Sequence, residues 1–347
     1  MKKTQVLVAI GLALLCCCVC LGAMAAEQGT CGTDLTWTLD DQGKLTISGT
    51  GEMNDYTIYA LPPWYDSRGS ILSVVIRQGV TGIGKFAFYE CTNLKSAELP
   101  DSVTSIRYGG FAKCSGLSSV TIAGRLTNIG DVAFQRCSNL ESITVFGDKL
   151  QIGKYAFYQC NMLKAAVFAG SVESIGAYAF AGCRSMENVS LPSGVGSIGH
   201  YAFLNASVLK NIWFTGSREE WDAIQMGTSW EYQTPIDKTI HVNFFEGMGT
   251  EAEPYMIQTA GHWDTLRQFI ADGAYDTAEK VFRLDAPLQV TTMIGTAEKP
   301  FGGVFDGNGM TLTVTYESDS EIAAPFRYIK SATIRNLHVA GSVTVAN

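Results

Sequence analysis

The chain has 347 residues, room for two or three folding units, and its 46% apolar content is too high for a disordered polymer. Charged residues make up only 17%, and the formal net charge is −8. With no Lys/Arg run beyond Lys2-Lys3, the chain lacks the clustered basic surface with which nucleic-acid binders neutralise phosphates.

The first element reads as an export signal over residues 1–25. Lys2-Lys3 precede an apolar stretch from Val6 to Leu21, and Ala23-Met24-Ala25 supplies the small residues of a cleavage site. Cleavage is expected after Ala25, with Ala26 as the alternative. An uncleaved anchor is the competing reading, but the stretch is shorter than the ~20 residues that span a bilayer. Cys16, Cys17, Cys18 and Cys20 suit lipid attachment poorly, because none follows a small residue. No second apolar span follows, so no membrane crossing is expected after signal removal. Residues 26–82 read as a capping β segment. Trp37, Leu39, Leu45 and Ile47 alternate around Asp40-Asp41-Gln42-Gly43, the pattern of a β-hairpin.

From Ile83 the chain repeats itself every 23 residues. Ile83, Ile106, Ile129, Ile152, Ile175 and Ile198 form one column, and Phe88, Phe111, Phe134, Phe157, Phe180 and Phe203 form a second. Cys91, Cys114, Cys137, Cys160 and Cys183 form a third, which ends at Ala206. Leu94, Leu117, Leu140, Leu163, Met186 and Leu209 form a fourth, and a small residue precedes every Phe. Columns in register imply coils that cannot bury their apolar residues alone and therefore stack into a continuous core. Leu94-x-x-Ala97-x-Leu99 and its equivalents alternate as short strands should, and stacking makes them a parallel sheet. The Ala-Phe pair belongs on the opposite side of each coil.

The cysteine column invites a disulfide framework. Equivalent positions in stacked coils have near-parallel Cβ directions, however, whereas a disulfide needs side chains turned toward each other. A buried ladder of free thiols is expected. His200, His241, His262 and His338 are scattered, with no zinc-like spacing, so neither a metal nor a cofactor is expected. Cys31 has no evident partner.

Two departures stand out: Arg107 replaces the repeat glycine, and Lys149 occupies an apolar column. The repeat stretch with its exit segment covers residues 83–243. There Arg218 to Ile224 reads as a short helix, with Trp221 and Ile224 one turn apart and Glu219-Glu220 on a solvated face. Residues 244–347 break the period. His262 to Ala271 sets Trp263, Leu266, Phe269 and Ile270 on one face of a helix, and strand-like segments follow. Asp306-Gly-Asn-Gly309 reads as a tight turn rather than a calcium site, because it offers two side chains where calcium needs six to eight oxygens. The final residues read as the start of another strand, as in a piece of a longer protein.

The motif Ile-Gly-x-x-Ala-Phe-x-x-Cys-x-x-Leu closely resembles the BspA-like (Treponema-type) leucine-rich repeats of bacterial surface proteins. Cys31 to Gly51 with Pro62-Pro63-Trp64, and Gly216 to Ile224, are similar to the segments that enter and leave such arrays. Phe301-Gly-Gly-Val-Phe-Asp-Gly-Asn-Gly-Met-Thr-Leu resembles the opening of right-handed β-helix domains, including those with GLUG-type repeats. The expected fold is thus a mainly β solenoid: a leucine-rich repeat array, then a partial right-handed parallel β-helix-like domain. An ordinary β-sandwich is the alternative for the second part.

The resemblance implies an extracellular protein, often attached to the cell surface, that binds host proteins, other microbes or glycans. It brings no catalytic residues, and no Gly-x-Ser-x-Gly elbow, phosphate loop or His-Glu-x-x-His appears. A spacer presenting another domain and a polysaccharide-active β-helix enzyme are the competing readings. The candidate binding positions point outward from the strands: Ser96 and Glu98, Ser119 and Thr121, Ser142 and Thr144, Asn188 and Ser190, and Asn211 and Trp213. Phe146, Val167 and Trp213 are the apolar anchors in this nearly uncharged set.

Overall fold

The computed structural model describes residues 27–344 except 236, 237, 243, 246, 248, 253, 273–276 and 318–321. The expected export signal lies outside the described residues.

The chain winds into a parallel β-solenoid. The hairpin is present: Asp34–Leu39 pairs antiparallel with Lys44–Glu52, and Glu27–Thr30 adds a third antiparallel strand. Asp40 closes the turn, its carboxylate accepting from the backbone N–H groups of Gln42 at 3.0 Å and Lys44 at 2.8 Å. Lys44–Glu52 then pairs in parallel with Ser73–Ile76 and converts the hairpin into the stack. Ser73–Ile76 is in register with Ser96–Leu99, so coiling starts one turn before Ile83.

Each coil has three sides. One carries the strands Ser96–Leu99, Ser119–Ile122, Ser142–Ile152, Ala165–Ile175, Asn188–Leu191 and Asn211–Phe214. A flank ladder runs through Val80–Ile83, Ser105–Ile106, Arg125–Ile129 and Ser197–Ile198 to Gln225–Met226. The third side is a turn segment holding the Phe column. Its ring centroids are 4.9–5.3 Å apart from Phe88 to Phe203, all fully buried. Burying each such ring stabilises the fold by about 1.5–3 kcal/mol. Tryptophans close the column. Trp64 stacks on Phe88 and donates from its indole N–H to the Ala87 carbonyl at 2.9 Å, and Trp230 meets Phe203 edge-on.

The turn segment is hydrogen-bonded in two directions. The N–H groups of Phe86, Phe88 and Glu90 donate to the next coil, at Tyr108, Gly110 and Ala112, while Ala87 and Tyr89 donate within their own turn. This alternation needs left-handed backbone at fixed places, filled mostly by non-glycine residues: Phe86, Val132, Tyr155, Tyr178 and Tyr201 have φ of 51–58°. Such values are unusual, most of all for β-branched Val132. The repeat glycines serve close approach instead: a Cβ on Gly153 would lie 2.4 Å from the Asp131 backbone nitrogen.

The thiol ladder is as expected. All five column cysteines are buried and free. Cys114, Cys137, Cys160 and Cys183 each donate from Sγ to the carbonyl of a Phe in the preceding coil, at 3.0–3.2 Å. Cys31 is also buried and free.

The two departures have local solutions. A bulge swings Lys149 out at φ 51° and brings Leu150 into the apolar column opposite Val172, so Lys149 does not occupy the core position its spacing suggested. Arg107 reaches back over the cap to Asp55 Oδ1 at 3.1 Å and to Glu52.

At the exit, the helix Arg218–Asp222 buries Trp221, and Ile224 follows it into the core. Glu220 is more than a solvated acid. It forms a capping box with Ser217, each side chain bonding the other's backbone N–H.

Beyond the array, Ala260–Asp272 is a helix that buries Trp263, Leu266, Phe269 and Ile270. Tyr255–Ile257, Val281–Leu284, Val304–Asp306 and Thr333–Arg335 form one parallel ladder; Leu288–Val290, Thr311–Glu317 and His338–Thr344 form another. Parallel pairing throughout the strands described beyond the array replaces the antiparallel sandwich with a second solenoid. Asp306 serves a turn: its carboxylate accepts from the Asn308 N–H at 2.9 Å, from Asn336 at 3.1 Å and from Arg335 at 3.2 Å. Burial raises its pKa, but these donors outweigh burial and hold it below the usual carboxylate value.

Candidate ligand-binding face

The outward positions of the strand side fall into two rows. Ser96 and Ser119 are register partners, as are Ser142 and Ala165, and Asn188 and Asn211. The other row runs Glu98 to Thr121, then Thr144, Val167, Ser190, Trp213 and His241. No ladder joins Ser119–Ile122 to Ser142–Ile152, so a seam divides the face at that point.

The two halves differ in exposure. Glu98, Ser119, Thr121 and Ser142 are open to solvent, and Ser96 and Thr144 are half-buried. Across the seam, an amide ladder links Asn211 Nδ2 to Asn188 Oδ1 at 2.8 Å, and His241 Nε2 lies 3.1 Å from Asn211 Oδ1. That contact requires the proton on Nε2. Ser190 is buried.

Trp213 is not an open anchor. It is 3% exposed, stacked 3.7 Å from His241 and edge-on to Phe269 at 4.3 Å. Its row does point outward from the sheet, but the second unit covers it there, and it joins that unit's core rather than the array's.

Phe146 and Val167 are half-buried because they line a cleft of about 260 Å³ between the face and the second unit. Ser190, Pro192 and Thr215 continue the array's wall, and Phe245, Pro254 and Met256 form the opposite wall. Arg125 stands at the mouth, exposed, with no carboxylate partner among the described residues. Period counting misses Arg125 because it pairs with Phe146, 21 positions on, instead of 23. The visible signal is Ile122-Ala123-Gly124-Arg125, where sister coils read Leu99-Pro100-Asp101-Ser102 and Leu191-Pro192-Ser193-Gly194.

Among the described residues, no group of three or more His, Cys, Asp or Glu side chains is placed to hold a metal. No described helix is long and apolar enough to cross a membrane.

Residues 64–164 and 150–223 match the family described as BspA type leucine rich repeat region, in six copies. No curated protein matches the chain. Three solved leucine-rich repeat proteins are similar. The one from Bacteroides ovatus is 18% identical, covering 89% of this chain and 77% of its own, with a TM-score of 0.42. That from T. pallidum is 21% identical over 54% of this chain and 86% of its own, with a TM-score of 0.37. That from Eubacterium ventriosum is 19% identical over 62% and 96%, with a TM-score of 0.29. The columns, the parallel coils and the sixfold match agree: residues 64–223 of this chain form an array of leucine-rich repeats of the BspA type.

Proposed function

We propose that the protein is a binding protein of the bacterial cell surface that grips a protein partner at the junction cleft. The observation that carries this reading is the pairing of a half-exposed apolar floor, Phe146 and Val167, with the uncommitted cation of Arg125 at its mouth. Apolar anchors in a partly desolvated pocket concentrate binding energy, and a guanidinium adds bidentate recognition of a carboxylate. The fitting partner segment therefore presents a bulky apolar side chain next to an acidic one. The open residues Glu98, Ser119, Thr121 and Ser142, with half-buried Thr144, supply a polar rim that tolerates water. Adhesion to host proteins suits such a site better than catalysis, because the repeat family supplies scaffolds rather than reacting groups.

The test is binding of the exported chain to immobilised fibronectin and mucin, compared with Phe146→Asp and Arg125→Glu. At least one surface should capture the parent chain, and each substitution should weaken capture about tenfold or more. Capture that ignores both substitutions, or no capture at all, removes the cleft from consideration and leaves the spacer reading.

A further inference from the structure

A second groove lies away from the strand face, at the end of the turn segments. It runs across five successive coils, which contribute Arg68, Glu90, Lys113, Arg136 and Gln159, and encloses about 670 Å³. Beside this row runs a second one of Thr92, Ser115, Ser138 and Asn161, each two positions on from its row partner.

The charges in the groove are of both signs, and most are held by hydrogen bonds within it, one of them an ion pair. Lys113 Nζ donates to Glu90 Oε1 at 2.8 Å and to the Tyr89 hydroxyl at 2.6 Å, while the Tyr65 hydroxyl donates to Glu90 Oε2 at 3.1 Å. The Arg68 guanidinium donates to the Tyr65 carbonyl at 2.8 Å and lies 3.9 Å from the Tyr65 ring centroid. Arg136 Nε donates to Gln159 Oε1 at 3.1 Å. The groups left facing the groove are mixed donors and acceptors. The side chains of Asp66, Thr92 and Asn161 are exposed and have no hydrogen-bond partner among the described residues.

We infer that this groove binds a linear, uncharged polysaccharide lying across the coils. A neutral sugar chain offers hydroxyls that both donate and accept, which matches such a lining. A polyanion would instead meet the carboxylates of Asp66 and Glu90 in the groove and a protein of net charge −8. The spacing fits as well: coils advance by 4.9–5.3 Å, close to the advance of one pyranose unit in an extended chain. Each sugar over the four coils from Glu90 to Gln159 therefore meets a pair of side chains at equivalent positions, and a fifth sugar meets Arg68. The site is independent of the junction cleft.

Titration calorimetry on the exported chain tests this with xylo-, manno- and cello-oligosaccharides from dimer to octamer, and with heparin as the polyanion. One neutral series should bind, gaining affinity with length and levelling off near the pentamer, where the five coils are filled. The control is Arg136→Gly with Gln159→Gly. Both positions have left-handed φ, at 61° and 58°, and Gly182 already occupies the same column, so the fold accepts the change. This double variant should lose about tenfold or more in affinity, whereas Phe146→Asp should bind sugar like the parent. The inference is overturned if no neutral series binds, if the double variant binds like the parent, or if only heparin binds in a salt-dependent way.

Discussion

The two solenoids of this chain solve one problem with different amounts of repetition. In the array, coil after coil returns at 23 residues, and identical side chains stack on one another from Phe88 to Phe203. In the second unit Tyr255 faces Phe282 at 27 positions, Val281 faces Val304 at 23, and Val304 faces Thr333 at 29. Its core is built of rings meeting edge-on or tilted, such as Trp263 with Phe305 and Phe301 with Phe326. Parallel backbone pairing is therefore enough to wind a coil, and strict columns are one way among several to fill it. What repetition adds is a nearest-neighbour energy that is nearly the same at every step.

Alkaline pH separates the two units most strongly. Every described cysteine lies in the cap or the array. Burial pushes the Cys183 thiol from an ordinary value of 9.0 to about 12, and the other column thiols upward as well. Folded thiols thus keep protons that unfolded ones release above pH 9, so stability is full below that pH and falls as pH rises. Each thiol withdraws up to roughly 1.4 kcal/mol per pH unit. In the second unit, burial pushes Tyr316 from 10.0 to about 12, a loss that begins only above pH 10. Hydrogen exchange between pH 9 and 10 should show the array loosening first. Native thiols that react with iodoacetamide at pH 9 would contradict this.

A cavity in the Phe column should come next. Phe134→Ala is expected to cost about 3–5 kcal/mol in denaturant unfolding. In a nearest-neighbour stack the damage stays local, so exchange should rise around Phe111 and Phe157 and remain unchanged from Tyr255 to Tyr316. A uniform rise would mean that the two units unfold as one. The smallest effect belongs to Arg107→Gly, which restores the repeat residue and removes exposed ion pairs to Asp55 and Glu52. Global stability should move by less than about 1 kcal/mol. Faster exchange limited to the cap is the expected sign, and a shift above that size would assign Arg107 a structural role the pairs do not explain.

Legibility followed the range of the cause. The Ile, Phe, Cys and Leu columns are sequence periodicities, and one stacking rule turns them into structure. The capping box was equally visible as Ser217-x-x-Glu220, a local pattern that a solvated-face reading passes over. Left-handed Val132 and Tyr155 carry no such mark, because inter-coil hydrogen bonds impose their backbone against local preference. Lys149 was misplaced by one residue because a bulge is invisible to period counting. Alternation placed Trp213 on the outer side of its strand correctly; what lies over that side is decided by the docking of Phe244 and Phe269, which no strand pattern encodes. The cleft was half-legible for the same reason, since Phe146 and Val167 are set by the strand whereas Arg125 and Met256 arrive from elsewhere.

The constant coil length also makes the array a ruler. When the chain is drawn out by its ends, the parallel coils peel away one at a time. Each coil that lets go releases the same 23 residues, roughly 80 Å of extended chain. The second unit, with coils of unequal length, lengthens in unequal steps. A solenoid built this way meets a pulling force as a series of small, equal concessions, and each released coil can wind back against a neighbour that still has its shape.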